Sequence, residues 1–153
     1  MSADRIQLPP ITRPKQAVEL TEAECWPLLE SVSVGRVVFT QRAMPAIRPV
    51  NHLIDGRVII IKTHLGAAIT ARAADGRHGP QGSVVCYEAD ELDSARRTGW
   101  SVIVTGMARL VTDPAGLARY AAAPEPWLAG DRNQVVAIEP QFVSGIRLGG
   151  WCA

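Results

Sequence analysis

The amino-acid sequence predicts a mainly β fold, an antiparallel barrel or sandwich with a few short helices. The chain has 153 residues, which is the size of one ordinary domain. Hydrophobic residues make up 47% of it and charged residues 20%, a balance that supports a packed core. Short β-branched segments alternate with turn signals, without regular strand–helix–strand units. This pattern favours antiparallel pairing over a doubly wound sheet.

The N-terminal part predicts an extended arm followed by a capped helix. Residues 1–19 contain three prolines and mixed charge, so we expect an arm here and a single domain over residues 20–149. Thr21 and Glu24 have the spacing of a capping box, in which each side chain bonds the backbone amide of the other residue. A helix is therefore predicted to about Ser31, although Pro27 lacks the amide that an interior position would use.

The rest of the chain predicts about six strands with tight connections. Asp55-Gly56 predicts a type I′ hairpin turn, in which both central residues have positive φ. Pro49 indicates an edge or irregular strand, and alternate residues of segment 99–111 are apolar, which predicts one buried face. We expect these strands to be built from seven extended segments, at residues 35–40, 46–54, 57–62, 83–87, 99–111, 134–138 and 142–148. We expect helices at 65–74 and 114–122, a turn at 41–45, a loop at 75–82 and a charged connection at 88–98.

Composition argues against several functional classes. The formal net charge of +1 disfavours general electrostatic binding to nucleic acid. The longest apolar run, residues 58–61, is too short to span a membrane, and the N-terminus lacks the pattern of a signal peptide. Three cysteines without a CxxC pair predict a reducing, cytoplasmic setting.

Sequence motifs identify neither catalytic residues nor a metal site. The chain contains no nucleophile elbow and no glycine-rich phosphate loop. His52, His64 and His78 lack the spacing of metal ligands, and we predict that they are surface or loop histidines. The catalytic residues therefore stay unassigned, and no metal is expected.

One predicted hairpin gathers side chains that can hold a phosphate. Arg48 and Asn51 lie on its first strand, and Lys62 and Thr63 end its second. A guanidinium, an ammonium and a hydroxyl can bind phosphate, and an amide can bond the edge of a heteroaromatic ring. The alternative is that these are solvated residues of an exposed strand, which composition alone favours.

Trp100 and Ser101 stand near the start of the long hydrophobic strand. The indole could cover a planar ring, and the hydroxyl could donate to a phosphate or to a ring oxygen. The alternative is a core or interface tryptophan, which is the more common situation.

Together these segments resemble the pyridoxamine 5′-phosphate oxidase-like split-barrel family, in particular its flavin/deazaflavin-dependent oxidoreductase branch. The resemblance rests on GRVVFTQRAMPAIRPVNHLIDGRVIIIKTHLGAAI, SVVCYEADELD and GWSVIVTGMARLVTDP, and on their order and spacing. It covers residues 16–148, nearly the whole chain. The resemblance implies a six-stranded antiparallel Greek-key split barrel, and a homodimer that binds FMN in the subunit interface.

The resemblance also implies roles for particular residues. Lys62 and Thr63 would hold the phosphate, and Glu88 would lie near the site. Trp100 and Ser101 would come from the partner chain. The isoalloxazine ring would be lined, partly through backbone groups, by Arg48, Pro49, Val50 and Asn51.

The sequence departs from the family at one position of this site. Ala68 stands where the family often has a lysine that contacts the phosphate. Loss of one charge-assisted hydrogen bond would weaken phosphate binding by ~1.5–3 kcal/mol. Our hypothesis for compensation is Arg72, one helical turn further on.

Two functions stay open on this scaffold. The first is an FMN-dependent oxidoreductase that passes hydride or electrons to an unassigned small-molecule substrate. The second is a non-catalytic protein that binds or stores flavin, deazaflavin or haem. Because a flavin performs the redox steps itself, the lack of a catalytic triad does not argue against an enzyme. A barrel that acts only through protein contacts would leave the hairpin and tryptophan motifs unexplained.

Overall fold

The computed structural model describes residues 16–71, 82–124 and 133–149. Within these ranges the chain forms strands and short helices, whose bounds are, in chain order, β1 (Ala17–Leu20), α1 (Glu22–Ser31), β2 (Val34–Gln41), β3 (Met44–Asp55), β4 (Val58–Thr63), α2 (Gly66–Ile69), β5 (Ser83–Asp93), β6 (Thr98–Leu110), α3 (Pro114–Arg119) and β7 (Gln134–Leu148). No helix in these ranges is long and apolar enough to cross a membrane.

The strands form one antiparallel sheet that closes into a barrel. Their order is β1-β7-β4-β3-β2-β5-β6, and β6 pairs in turn with β7, so β2 to β7 make a closed ring. β1 lies outside this ring and pairs with residues 145–148 of β7. The predicted antiparallel barrel is confirmed. The predicted count of six strands is one short of the seven in the sheet, because Ala17–Leu20 pairs as a strand.

β5 and β7 are longer than the sequence predicts. Instead of a charged connection at 88–98, β5 continues to Asp93 and the chain turns back into β6 within residues 94–97. Glu88 and Asp90 fit a strand because they alternate with the buried Ala89 and point away from the core. The two predicted segments at 134–138 and 142–148 are one strand, β7, whose register against β6 shifts opposite Pro140.

The tight turns on either side of β3 differ from the prediction. Asp55 ends β3, so the central turn residues are Gly56 and Arg57, and only Gly56 has a positive φ, of 63°. The type I′ turn predicted at Asp55-Gly56 is therefore wrong. Two consecutive positive φ values, 52° and 61°, occur instead at Arg42 and Ala43, between β2 and β3.

Alternate strand residues fill the barrel with one apolar core. The alternating face predicted for β6 is confirmed, since Val102, Val104, Gly106 and Ala108 are buried and Leu110 packs against them. The same core contains, from the other elements, Cys25, Trp26, Leu29, Val37, Phe39, Ile59, Ile61, Ile69, Val85, Tyr87, Ala89, Trp100, Val136 and Ile138.

The helices are short, and the buried residues of α1 and α2 belong to the barrel core. The predicted capping box of α1 is confirmed: the Thr21 amide and hydroxyl both donate to Glu24 Oε2, at 2.8 and 2.9 Å. α3 is shorter than the predicted 114–122, and the segment after it packs Ala123 on Ile60 and Val135. α2 covers only Gly66–Ile69 of the predicted helix at 65–74. Residues 72–81, with most of the predicted loop, lie outside the described ranges.

Candidate functional site

Among the described residues, the first half of β3, which contains residues 48–51, pairs with a neighbouring strand on one side. β3 pairs with β2 along residues 44–51, whereas its register with β4 covers only residues 52–55. The His52 amide bonds Ser33 O toward β2, at 3.0 Å. Because successive strand residues direct their backbone groups to opposite sides, Pro49 and Asn51 direct theirs toward the open side. Pro49 therefore removes no ladder hydrogen bond, which explains an irregular strand inside the barrel.

The side chains of this segment divide between the two faces of β3. Arg48 is exposed, and its Nη1 donates to Ile47 O at 2.7 Å. Val50 packs against the core, Pro49 is exposed and Asn51 is half-buried. The backbone groups of Pro49 and Asn51 thus face the side of β3 that lies away from β2.

Lys62 and Thr63 end β4 and are both buried, with exposed fractions of 8% and 4%. Lys62 Nζ donates to Ala121 O, in the segment after α3, at 2.8 Å. Thr63 Oγ1 accepts from the Leu65 amide at 3.0 Å. Consecutive strand residues point to opposite faces, so the ammonium and the hydroxyl leave β4 on different sides. Lys62 and Thr63 are therefore adjacent in the sequence, but the structure places their polar groups on different faces of β4.

Ala68 lies on α2, half-buried against the core. The alanine side chain has no group that can donate a hydrogen bond to an anion, so it cannot replace the lysine of the family pattern. Arg72, the hypothesis for compensation, lies outside the described residues.

Four polar side chains of β2, β5 and β6 form a cluster on the outside of the barrel. Arg36 Nη1 lies 3.0 Å from Glu88 Oε2 and 3.6 Å from Asp90 Oδ2. Ser101 Oγ donates to Glu88 Oε1 at 3.4 Å. Burial raises the pKa of the Glu88 carboxyl, the Asp90 charge acts in the same direction, and the Arg36 guanidinium opposes them. We call Arg36, Glu88, Asp90 and Ser101 the carboxylate cluster.

Large apolar side chains surround the carboxylate cluster on the same outer surface. The strand registers place Ile103 opposite Glu88 and Ile146 opposite Ser101. Residues that face each other across antiparallel strands share a face of the sheet. We call this surface the apolar face; its exposed large side chains are Ile47, Val84, Leu92, Ile103, Phe142 and Ile146.

Trp100 and Ser101 point to opposite sides of β6. Trp100 is 6% exposed and belongs to the core of its own barrel. Ser101 points outward into the carboxylate cluster. Of the residues proposed from sequence, the structure thus brings Ser101 and Glu88 together and places Trp100 on the other face.

A buried polar pair lies directly behind the segment of residues 48–51. His52 is 4% exposed, so the prediction of a surface or loop histidine is wrong for it; His64 is exposed, and His78 lies outside the described residues. Nε2 of His52 donates to Leu29 O at 2.7 Å, and Nδ1 accepts from the Tyr87 hydroxyl. Burial lowers the pKa of His52, so the ring is neutral in the folded protein.

Acid is expected to destabilise the fold through His52. Its pKa is lowered from 6.5 on folding, so the unfolded chain binds the extra proton. The stabilisation is complete above pH 6.5 and is lost as the pH falls toward the folded-state pKa. The free energy of unfolding should fall by up to about 1.4 kcal/mol per pH unit. Urea unfolding at a series of pH values gives the change in the free energy of unfolding per pH unit. This change should be smaller for His52→Gln than for the parent chain and the same as in the parent for His64→Gln. Equal slopes in all three proteins would contradict this assignment.

A family assignment follows from comparison with known proteins. A sequence model of the pyridoxamine 5′-phosphate oxidase family matches residues 21–147, from the cap of α1 to the end of β7. The chain belongs to this family. An uncharacterised protein of Mycobacterium tuberculosis is 52% identical to it over 135 residues, which are 88% of this chain and 87% of that protein.

Solved structures of family-like proteins have the same fold. A protein of Corynebacterium glutamicum is 28% identical, with a TM-score of 0.70 over 86% of this chain and 98% of that one. The FAD binding protein of Mycobacterium smegmatis is 33% identical, with a TM-score of 0.66 over 88% of this chain and 100% of that one. The pyridoxamine 5′-phosphate oxidase family predicted from the sequence motifs is therefore confirmed.

Family motifs missed the residues whose partners are remote in sequence. Arg36 and Asp90 complete the carboxylate cluster, yet Arg36 and Glu88 are 52 positions apart. The alternation of Glu88 and Asp90 around Ala89 was a usable signal that both carboxylates share a face. Among the described residues, no group of three His, Cys, Asp or Glu side chains could hold a metal ion.

Proposed function

We propose that this protein binds a flavin nucleotide and acts as a flavin-dependent oxidoreductase on a small molecule. The observation that carries the proposal is the likeness to the FAD binding protein of M. smegmatis, 33% identical along the whole of that chain. A bound flavin supplies hydride and electron transfer, while the protein binds and orients it. FMN is the cofactor that the sequence motifs imply, and FAD is the one that this relative binds. A cytoplasmic setting, expected from the cysteine pattern of the sequence, is part of this proposal, and the free thiols of Cys25 and Cys86 are compatible with it.

The polar groups of residue 49 on β3 and of the end of β4 fit a flavin nucleotide. The backbone carbonyl of Pro49, directed to the open side of β3, suits a donor at the polar edge of a planar ring. Lys62 supplies an ammonium, which binds phosphate. The Thr63 hydroxyl leaves β4 on the other face and suits a different polar group of the nucleotide. Ala68 contributes nothing to this site.

We propose further that two copies of the chain associate through the apolar face. Large exposed apolar patches on a sheet usually mark a contact with another protein. The six side chains of the apolar face spread over β3, β5, β6 and β7, a breadth that suits a contact of roughly 800 Å² on each partner. A second copy is the occupant that the family resemblance implies, and a symmetric homodimer buries the same surface of both chains. Ser101 and Glu88 would then lie in the interface.

The alternative function is binding or storage without turnover. Ala68, in place of a lysine, favours it, because weaker phosphate binding suits a carrier or a different ligand such as deazaflavin or haem. The two functions differ in whether bound flavin is reduced by a nicotinamide nucleotide and reoxidised by an acceptor. Anaerobic stopped-flow absorbance of the flavin-loaded protein separates them. Reduction within seconds supports the oxidoreductase, and a flavin that stays oxidised supports the carrier.

Lys62→Met is expected to weaken FMN and FAD binding by roughly 10–100-fold, since one charge-assisted hydrogen bond contributes about 1.5–3 kcal/mol. Methionine keeps the length of the side chain and removes its charge. Fluorescence titration with FMN, FAD and riboflavin measures the effect. Riboflavin lacks the phosphate, so its affinity is the matched control and should be unchanged.

Two other outcomes would contradict this assignment of Lys62. An equal loss for riboflavin would mean that Lys62 acts only through its bond to the segment after α3. Unchanged affinity for all three ligands would place the phosphate elsewhere. Thr63→Val, tested in the same way, reports whether the hydroxyl on the other face of β4 also contacts the nucleotide.

A further inference from the structure

The carboxylate cluster has an unbalanced charge. Glu88 and Asp90 bring two carboxylates, and Arg36 brings one guanidinium, within 3.0 and 3.6 Å of them. Ser101 adds a neutral hydroxyl. With both carboxylates ionised, each chain therefore carries one excess negative charge on this surface.

The apolar face adjoins this charge on the side of β6 and β7. Ile103 lies across from Glu88, and Ile146 lies across from Ser101 on the next strand. A partner that covers these isoleucines also removes water from the cluster. Removing water from an unpaired charge is costly, and such groups commonly respond by taking up a proton. In a symmetric dimer both copies bring the same excess charge to the same interface, which adds like-charge repulsion.

We propose that a second copy of this chain binds the apolar face with the uptake of one proton at each Glu88, so that the dimer dissociates as the pH rises. The inference rests on the proposed dimer. With Glu88 protonated, Arg36 and Asp90 form a balanced pair, and the cluster is neutral. The protonated carboxyl also gains an O–H donor, which Asp90 can accept.

Glu88 is the carboxyl that takes up the proton. Its side chain is 22% exposed, against 29% for Asp90, and its pKa is already raised, first by burial. The charged and titratable groups packed around it are Arg36 on β2, Asp90 on the same strand, and the inward-pointing phenol of Tyr87. Arg36 opposes protonation, and Asp90 promotes it.

The test is analytical ultracentrifugation of the full chain as purified, at a series of pH values between about 5.5 and 8.5, with protein and flavin absorbance followed together. Two protons per dimer predict that the dimer dissociation constant rises by up to about 100-fold per pH unit above the pKa of the monomer. Glu88→Gln mimics the protonated carboxyl, so this variant should remain dimeric at high pH. Its dimer dissociation constant should not change with pH.

Two further variants complete the design. Glu30→Gln changes an exposed carboxyl on α1 and should keep the full pH dependence. Asp90→Asn also leaves a neutral cluster, since Arg36 then balances an ionised Glu88. The dimer dissociation constant of Asp90→Asn should therefore not change with pH either. This variant replaces Glu88→Gln as the test if Glu88→Gln does not fold.

The outcomes separate this inference from the function on which it rests. A pH-independent dissociation constant in the unmodified chain, or a Glu88→Gln profile as steep as that of Glu30→Gln, overturns the proton uptake. A monomer at every pH overturns the dimer and the proton uptake together. Absence of flavin absorbance in the dimer counts against the cofactor and leaves the proton uptake standing.

Discussion

Replacing Trp100 with alanine is expected to lower the free energy of unfolding by about 3–5 kcal/mol. The side chain is 6% exposed and packs in the barrel core, with Val102 and Val104 further along the same face of β6. Truncation would therefore leave a cavity that the closed sheet can fill only in part. Urea unfolding of the apo protein, followed by circular dichroism at several protein concentrations, measures the loss and separates it from any effect on association.

Trp100→Phe is the matched control. A smaller aromatic ring keeps most of the buried area, so we expect it to retain most of the stability that alanine loses. The family resemblance implies instead that Trp100 covers the cofactor bound to a partner chain. In that case Trp100→Ala would lose flavin affinity and leave the stability of the apo protein unchanged, which is the outcome that would contradict the core assignment.

The parts of the fold that the sequence predicts well depend on neighbours within a few residues. The capping box of Thr21 and Glu24 closes within one helical turn, and the apolar alternation of β6 is visible along one strand. β1 and the end of β5 were missed because their strand character comes from pairing. Ala17–Leu20 extends along the end of β7, and the charged residues 88–93 are held by β6.

The candidate site shows the limits of a motif in the same way. Lys62 and Thr63 are adjacent in the motif, yet adjacency in a strand places two side chains on opposite faces. The same rule separates Trp100 from Ser101. His52 was predicted at the surface because its partners, Leu29 and Tyr87, come from α1 and β5. Such contacts depend on how the sheet closes, and no local pattern encodes them.

Gly35→Ala is expected to destabilise the fold by about 3 kcal/mol, the upper range for forcing an extra group into a packed interior. A Cβ at position 35 would overlap the hydroxyl of Tyr87 and would lie 2.6 Å from Glu88 O. The glycine of β2 thus makes room for the Tyr87 hydroxyl, which reaches His52 on β3. The substitution should push Tyr87 away from His52 and leave the buried imidazole without its partner, which adds to the cost. Urea unfolding gives the change in stability.

Gly56→Ala is the matched control, because a Cβ there meets nothing within 4 Å. It carries only the strain of a positive φ, about 1–2 kcal/mol. A double-mutant cycle with Tyr87→Phe identifies the cause. Tyr87→Phe alone unpairs Nδ1 of His52, and the phenylalanine also removes one of the atoms with which the new Cβ would collide. The two substitutions together should therefore cost less than the sum of their separate effects. Strict additivity, or a Gly35→Ala protein as stable as the parent, would mean that β2 shifts freely and that the contact of Tyr87 with His52 does not determine the need for glycine.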